Sequence, residues 1–385
     1  MRGTVKKRAK DSWTIILDAG RDPATGKRRQ QWHTVKGTKR EVEKRLAELI
    51  HQVDNGGYVK PGNLTVGTYL QKWLEDYAST HVRATTLEGY ETRAKHLIDR
   101  LGSIRLSELR PDHLQAYYSA KLQNGRRDGQ GLAPGTLIKH HNLLREALSH
   151  AVKWGLVARN VAEAVDPPRG QRKEMQALTS ADLHRVLNAC EGTPWHPIFH
   201  TLAWAGLRRS ELLGLRWKDI DLLYATLRVS QVLHQLDNGQ FVYQEPKTAK
   251  GRRTIALSPS SCIELRQHRE SRERDTELLG IPLTEDSLVF GHPDGSPRAP
   301  STLTLAFRRL TRRLGFTGVR LHDLRHTHAT LMMEQGVNPK VVSERLGHAS
   351  VVITLDTYSH VLPNMQEDAV ARFESAMAID PEGVR

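Results

Sequence analysis

A chain of 385 residues is long enough for two or three domains, each with its own core. Hydrophobic residues make up 38% and charged residues 26%, with no apolar run near the roughly 20 residues that span a bilayer, which excludes a helical membrane protein. A formal net charge of +14 points to a polyanionic partner, most often nucleic acid.

The basic N-terminus, MRGTVKKRAKDSW, lacks the apolar segment of a secretion signal, so the expected location is the cytoplasm. Cys190 and Cys262 are the only cysteines and lie far apart, suggesting neither a disulfide framework nor a zinc site.

The charge is uneven: residues 1–60 hold 15 lysines and arginines against 7 acidic residues. Residues 12–19 (SWTIILDA) alternate, with Trp13, Ile15 and Leu17 on one side. Residues 22–27 are turn-rich, and 28–35 read as a return strand. Thr38 then caps a helix with Val42, Leu46, Leu49, Ile50 and Val53 on one face. A short sheet backed by one helix is expected. Its strand residues Lys10, Arg28, Arg29 and Lys36 would line a basic surface of a kind that reads a DNA groove, although a solvated hairpin accounts for them equally well. The Gly- and Pro-rich stretch 55–63 marks a first boundary.

Residues 64–165 read as all-helical. Val66, Tyr69, Leu70, Trp73, Leu74 and Tyr77 share a face of the first helix, and a second is expected to be capped near Thr85. Pro111 suits the first turn of a third. A fourth carries Leu137, His140 or His141, Leu144, Leu148, Ala151 and Val152 as its stripe. Arg83, Lys139 and Arg145 are candidate contacts to a DNA backbone, with a solvated face the plain alternative. The Pro-rich basic stretch 165–173 marks a second boundary.

Residues 174–385 form the largest unit. Two helices end at Gly206. Then TLRVSQVL, GQFVYQEP and RRTIAL read as three strands, with Lys247 at the tip of the second connection. Further helices follow over residues 259–278, 301–314, 321–335 and 340–345. In the tail, Met365, Ala369, Phe373 and Met377 recur at i, i+4 beside Val370, an amphipathic stripe able to fold onto its own domain or dock on a neighbouring subunit.

One ordered set of residues carries chemistry: Arg208, Lys247, His322, Arg325, His348 and Tyr358. Breaking a phosphodiester without a metal spreads negative charge over the non-bridging oxygens. Two guanidinium forks, Arg208 and Arg325, can hold those oxygens while staying charged. A tyrosine with an ordinary pKa near ~10 needs positive neighbours or a base to act as nucleophile. Lys247 suits the proton donor to the leaving 5′-hydroxyl. His322 suits acid–base work, and His348 can donate a hydrogen bond to a non-bridging oxygen. His326 and His328 stand at i, i+2 on a helix and point in different directions, so no metal site is expected, nor any cofactor.

The blocks AGLRRSELLGLRW, PKTAKGRRTIAL, LHDLRHTHAT and LGHASVVITLDTYSHV resemble, in wording and order, the signature blocks of the tyrosine recombinases, or phage integrase family. The resemblance implies a multidomain fold. A small α+β N-terminal arm-binding domain (three-stranded sheet plus helix) would occupy residues 1–60 and an all-α core-binding domain 64–165. A mainly-α catalytic domain with a small antiparallel sheet would occupy 174–385, including a subunit-exchange helix at about 364–378. It implies that Arg208 and Arg325 are the catalytic arginines and Lys247 the hairpin lysine, with Lys250 three residues on as the alternative. His322 opens the His-x-x-Arg box, His348 fills the His/Trp position, Tyr358 forms a 3′-phosphotyrosyl link, and Glu211 supports the site. It further implies a homotetramer on double-stranded DNA attachment sites, a Holliday junction, and a host DNA-bending protein and an excisionase as partners. A type IB topoisomerase, a chromosome-dimer resolvase and a non-catalytic DNA-binding protein are the alternatives.

Overall fold

The computed structural model describes residues 3–21, 28–54, 63–126, 128–170, 176–358 and, in the tail, 370, 371, 373–375 and 377; for 17–21, 28–31 and 51–54 it describes the backbone alone. The chain divides into two compact units, Met1–Arg172 and Lys173–Arg385.

The first unit holds two separate hydrophobic cores. In the N-terminal one, strands β1 (Gly3–Ala9), β2 (Ser12–Arg21) and β3 (Arg28–Lys36) form an antiparallel sheet in that order, and helix α1 (Lys39–Asp54) covers one face. Ile15, Val42 and Leu49 are buried together, with Val5, Trp13, Val35 and Leu46 beside them. The alternation that placed Trp13 and Ile15 on one side thus faces the helix. Thr38 does cap α1: its hydroxyl accepts from Glu41 N while the Glu41 carboxylate accepts from Thr38 N at 2.8 Å. Lys10 departs from expectation. It lies in the β1–β2 turn rather than on a strand, because the first seven-residue strand ends at Ala9. Lys36 ends β3 and is exposed, and the side chains of Arg28 and Arg29 lie outside the described residues.

The second core is all-helical: α2 (Val66–Trp73) runs through a π-helical stretch, Leu74–Ala78, into the single turn α3 (Ser79–His81), followed by α4 (Ala84–Leu101), α5 (Pro111–Gln123) and α6 (Pro134–Lys153). α4 starts one residue earlier than the expected cap, after Arg83, which has extended backbone and makes no side-chain cap; Thr85 is inside the helix. His140 and His141 are both buried, not one or the other. The Tyr117 hydroxyl bonds His140 Nδ1 at 2.7 Å and the Tyr118 hydroxyl bonds His141 Nδ1 at 2.8 Å, so neither imidazole is buried unsatisfied.

In the second unit, α7 (Ser180–Asn188) starts at a Thr179 cap and α8 (His196–Ala205) ends at Gly206; α9 (Arg209–Leu213) follows at once. The expected first strand is two. Strands β4 (Ile220–Asp221), β5 (Thr226–Val229) and β8 (Arg253–Ala256) form one sheet in the order β4-β5-β8, while β6 (Val232–Gln235) and β7 (Phe241–Gln244) form a separate hairpin. The break falls at Ser230, whose hydroxyl donates to Asp219 Oδ1 at 2.6 Å rather than continuing the strand. Then come α10 (Pro259–Leu278), α11 (Pro300–Arg313), α12 (Asp323–Glu334), α13 (Pro339–Leu346) and α14 (Val351–Tyr358). Phe199, Phe307, Leu212, Leu227, Leu265, Leu303 and Leu324 anchor the main core of this unit. A smaller core of Ala329, Met333, Val342, Leu346 and Tyr358 joins α12, α13 and α14. The stretch expected as a subunit-exchange helix falls largely outside the described residues; Val370, Phe373 and Met377, which are described, are helical and exposed.

Candidate active site

Two glycines in left-handed backbone shape the site. Gly206 ends α8 at φ +62°, and a Cβ there would meet His328 Cδ2 at 2.6 Å; Gly347 ends α13 at φ +66°, where a Cβ would meet Arg253 Nη1 and the Lys250 carbonyl, both at 2.9 Å. The carbonyl of Gly206 and that of Leu346, just before Gly347, each accept from Arg325, at 2.6 Å from Nη1 and Nη2 respectively. Arg325 is 3% exposed, and burial together with the charge of Arg208 lowers it to about 9, still protonated at neutral pH. Arg208, immediately before α9, reaches across to Gly347 O at 3.4 Å. The two arginines are therefore brought together from opposite ends of the unit, at the junction of α8, α9, α12 and α13.

Glu211 ties them to the sheet. Its carboxylate accepts from Arg208 Nη1 at 2.7 Å and from Arg208 N at 2.9 Å. It also accepts from both Nη atoms of Arg253, at 3.2 and 2.9 Å. Burial alone would push the Glu211 carboxyl up. The hydrogen bond and charge of Arg253, with Arg208 and Arg325, outweigh it and hold the group below the usual range. Arg253 was not singled out in the sequence. Only the pairing of β8 with β5 carries it to Glu211, and its Nε also donates to Arg345 O at 2.6 Å.

His322 immediately precedes α12, without a side-chain capping bond, and its ring stands edge-on to His326, centroids 4.8 Å apart. Burial, then Arg325, lowers its pKa. His348 bonds the Thr354 hydroxyl through Nδ1 at 2.8 Å, and burial with Arg325 and Arg208 lowers it to about 4. Tyr358 ends α14 at 2% exposure. Burial raises its phenol to about 12 while Arg325 acts in the opposite sense. Its hydroxyl bonds His326 Nδ1 at 2.6 Å. His328 turns instead to accept from Arg345 Nε at 3.0 Å, so the two histidines at i, i+2 serve different neighbours, as their spacing predicts.

The two lysines differ in their surroundings. Lys247 lies in the β7–β8 connection, exposed, without a hydrogen bond or ion pair among the described residues, whereas Lys250 Nζ donates to Ala349 O at 2.7 Å, next to His348. Beside Arg208 and His322 opens a cavity of about 680 Å³, lined also by Arg209, Ser301, Thr304 and Arg320. Arg83, Lys139 and Arg145 belong to the first unit; Lys139 and Arg145 are exposed on α6 and Arg83 is half-buried.

The chain matches known proteins over most of its length. The family model "Phage integrase family" matches residues 176–365, and "Phage integrase, N-terminal SAM-like domain" matches 65–122. The chain is 28% identical over 384 residues to a protein named tyrosine recombinase XerC-like from Caldanaerobacter subterraneus subsp. tengcongensis, covering 94% of this chain and 96% of that one. It is 26% identical over 380 residues to the ICEBs1 integrase of Bacillus subtilis, covering 97% of this chain and 100% of the relative. Among solved structures, the Tn1549 transposon integrase in complex with a circular intermediate DNA superposes with a TM-score of 0.67 at 22% identity, over 81% of this chain and 99% of that one.

Proposed function

The chain belongs to the phage integrase family, the tyrosine recombinases, and from that premise we propose how its residues cut and rejoin DNA at specific sites to move a phage or conjugative element. The observation that carries the reading is the convergence of Arg208, Arg325, His322, His348 and Tyr358 on one junction, with Arg325 and Tyr358 buried beneath the more open Arg208, His348 and His322, although Arg208 and Tyr358 are 150 residues apart. Arg208 and Arg325 clamp the non-bridging oxygens of the scissile phosphate. Fixed positive charge aimed where negative charge develops is commonly worth 10²–10³-fold per donor, roughly. Tyr358 attacks phosphorus and keeps the 3′-phosphate as an ester, so the bond energy is conserved and no nucleotide is consumed. Lys247, on the exposed connection, protonates the leaving 5′-oxygen. Lys250 is the second candidate for that role, favoured by its bond to Ala349 O. His348 donates to a non-bridging oxygen, and Glu211 with Arg253 holds Arg208 in register.

Two duplexes present four strands, and each cut consumes one tyrosine, so complete exchange through a Holliday junction requires four protomers. The open face of the N-terminal sheet, with Lys36 and the 60%-exposed Trp32, is assigned to arm-type sites, and residues 64–165 to the core site. A host DNA-bending protein and an excisionase fit a mobile element that must choose direction. Among the described residues no helix is long and apolar enough to cross a membrane.

The test uses a nicked duplex carrying the junction sequence recovered from the integrated element. A denaturation-resistant protein–DNA adduct that forms on this duplex and not on unrelated DNA is expected. Relaxation of plasmids lacking the site, at the same rate as plasmids bearing it, would instead identify a topoisomerase.

A further inference from the structure

We propose that His326 is a further catalytic residue of this site: through Nδ1 it accepts the proton that Tyr358 gives up when the tyrosine oxygen attacks phosphorus. The proposal rests on the reading of Tyr358 as nucleophile.

The geometry is specific. The Tyr358 hydroxyl and His326 Nδ1 are 2.6 Å apart, and the phenol is 2% exposed, so water does not compete for that hydrogen bond. His326 follows Arg325 directly on α12. The helical turn that aims the guanidinium at Gly206 O and Leu346 O therefore also fixes the imidazole. For Nδ1 to accept, the ring proton must sit on Nε2. His322, packed edge-on against the same ring, is left to face the cavity beside Arg208.

The charged and titratable groups around His326 set when the proton moves. From α12 and the turn before it come His322, Asp323, Arg325 and Arg320; from across the junction come His348 and Tyr358. Burial first, then His322, brings His326 down to about 4, while burial raises Tyr358 to about 12. In the DNA-free protein the proton therefore stays on the phenol. A bound phosphate brings negative charge against Arg208 and Arg325, offsets their field, and allows an imidazolium to form. In the step itself the Tyr358 O–H bond breaks as Nδ1–H forms. The tyrosine oxygen bonds phosphorus, the bond from phosphorus to the 5′-oxygen breaks, and that oxygen takes its proton from the β7–β8 lysine. On rejoining, the 5′-hydroxyl returns its proton to that lysine as its oxygen bonds phosphorus, the bond from phosphorus to the tyrosine oxygen breaks, and the departing oxygen recovers its proton from His326.

The test uses the full-length chain and nicked junction duplex, in one version with a normal phosphate and in another with a bridging 5′-phosphorothiolate, whose sulfur leaves without a proton. Single-turnover adduct formation is followed from about pH 6 to 9, a span in which a general base typically contributes on the order of 10²-fold or more. His326→Gln, which keeps an acceptor for the phenol but cannot take its proton, is expected to slow cleavage on the order of 10²-fold near pH 7. Its rate should rise about tenfold per pH unit, the slope of a group that must ionise, where the native protein is flat. The phosphorothiolate should not restore it, whereas it should restore Lys247→Ala, and added imidazole should partly rescue His326→Ala. A native rate in His326→Gln, or a slowed rate with the native pH profile and no response to imidazole, overturns the proton-acceptor role. The nucleophile reading falls separately, if Tyr358→Phe still forms the adduct.

Discussion

Hydrogen bonds between tyrosine and histidine occur in both units, and the contrast between them separates fastening from chemistry. In the helical core of the first unit, Tyr117 pairs with His140 and Tyr118 with His141; in the second unit, Tyr358 pairs with His326 at nearly the same distance. In each case burial pushes the phenol up and the imidazole down. The surroundings differ. The charges acting on Tyr117 are those of Tyr118 and Asp99, which further oppose loss of its proton, whereas Arg325 acts on Tyr358 in favour of it. A buried Tyr–His pair is by itself a way to satisfy two polar groups in a core. A guanidinium beside the phenol, with a second one next to it, turns the same pair into a candidate for phosphoryl transfer.

Four substitutions break or sharpen that contrast. Tyr358→Phe removes the oxygen proposed to attack phosphorus: DNA binding is expected to persist in a mobility-shift assay, with no covalent complex on a denaturing gel. Glu211→Gln leaves Arg253 buried without its counter-charge, since the pair is only 2% and 6% exposed. A loss of about 3–5 kcal/mol in unfolding free energy is expected by denaturant titration. That variant also has a pH signature. The folded-state pKa of Glu211 lies below its ordinary 4.5, so its stabilisation is present above that value and is lost as pH falls through the folded pKa. The native protein should therefore lose stability below about pH 4.5 more steeply than Glu211→Gln. Arg325→Lys keeps the charge but cannot reach Gly206 O, Leu346 O and a phosphate together. A 10²–10³-fold drop, roughly, in single-turnover cleavage is expected with little change in DNA affinity. Tyr117→Phe, the control from the other region, strands His140 Nδ1 in the core and should cost about 1–3 kcal/mol on thermal unfolding while sparing the cleavage rate of the folded protein.

The order of the signature blocks named candidate residues before any coordinates, because each block carries its residue in a recognisable local setting: Arg208 just after a glycine, His322 and Arg325 on one helical turn. A helix start was legible where a side chain makes the cap, as at Thr38. One was displaced where none does, as at Arg83. Arg253 was invisible because its partner Glu211 is 42 positions away and only the β5–β8 pairing joins them. His326 was visible as a helix residue, but its facing toward Tyr358 depends on how α14 packs on α12, which no local pattern encodes. The break at Ser230 has a local trace, since the apolar phase of Leu227 and Val229 meets Gln231 and resumes at Val232, but the Asp219 partner of the Ser230 hydroxyl lies outside that run. The choice between Lys247 and Lys250 turns on the path of an exposed connection, where neither burial nor periodicity constrains the chain.

Arg325 and Arg253 are both almost fully buried, yet they are held by different kinds of oxygen. Arg253 is held by a carboxylate, which fixes the guanidinium and cancels its charge in the same contact. Arg325 is held by main-chain carbonyls, which orient the fork but carry no net charge to neutralise it. Orientation and charge are thereby uncoupled in Arg325: the backbone supplies one, and Glu211 acts on the other only at longer range, without a direct ion pair. In a chain with 57 lysines and arginines, abundance says little about which of them act on substrate. Within this buried pair, the atom each guanidinium leans on separates a strut from a cation left open to an anion; Arg208, paired with Glu211 yet part-exposed, lies between the two.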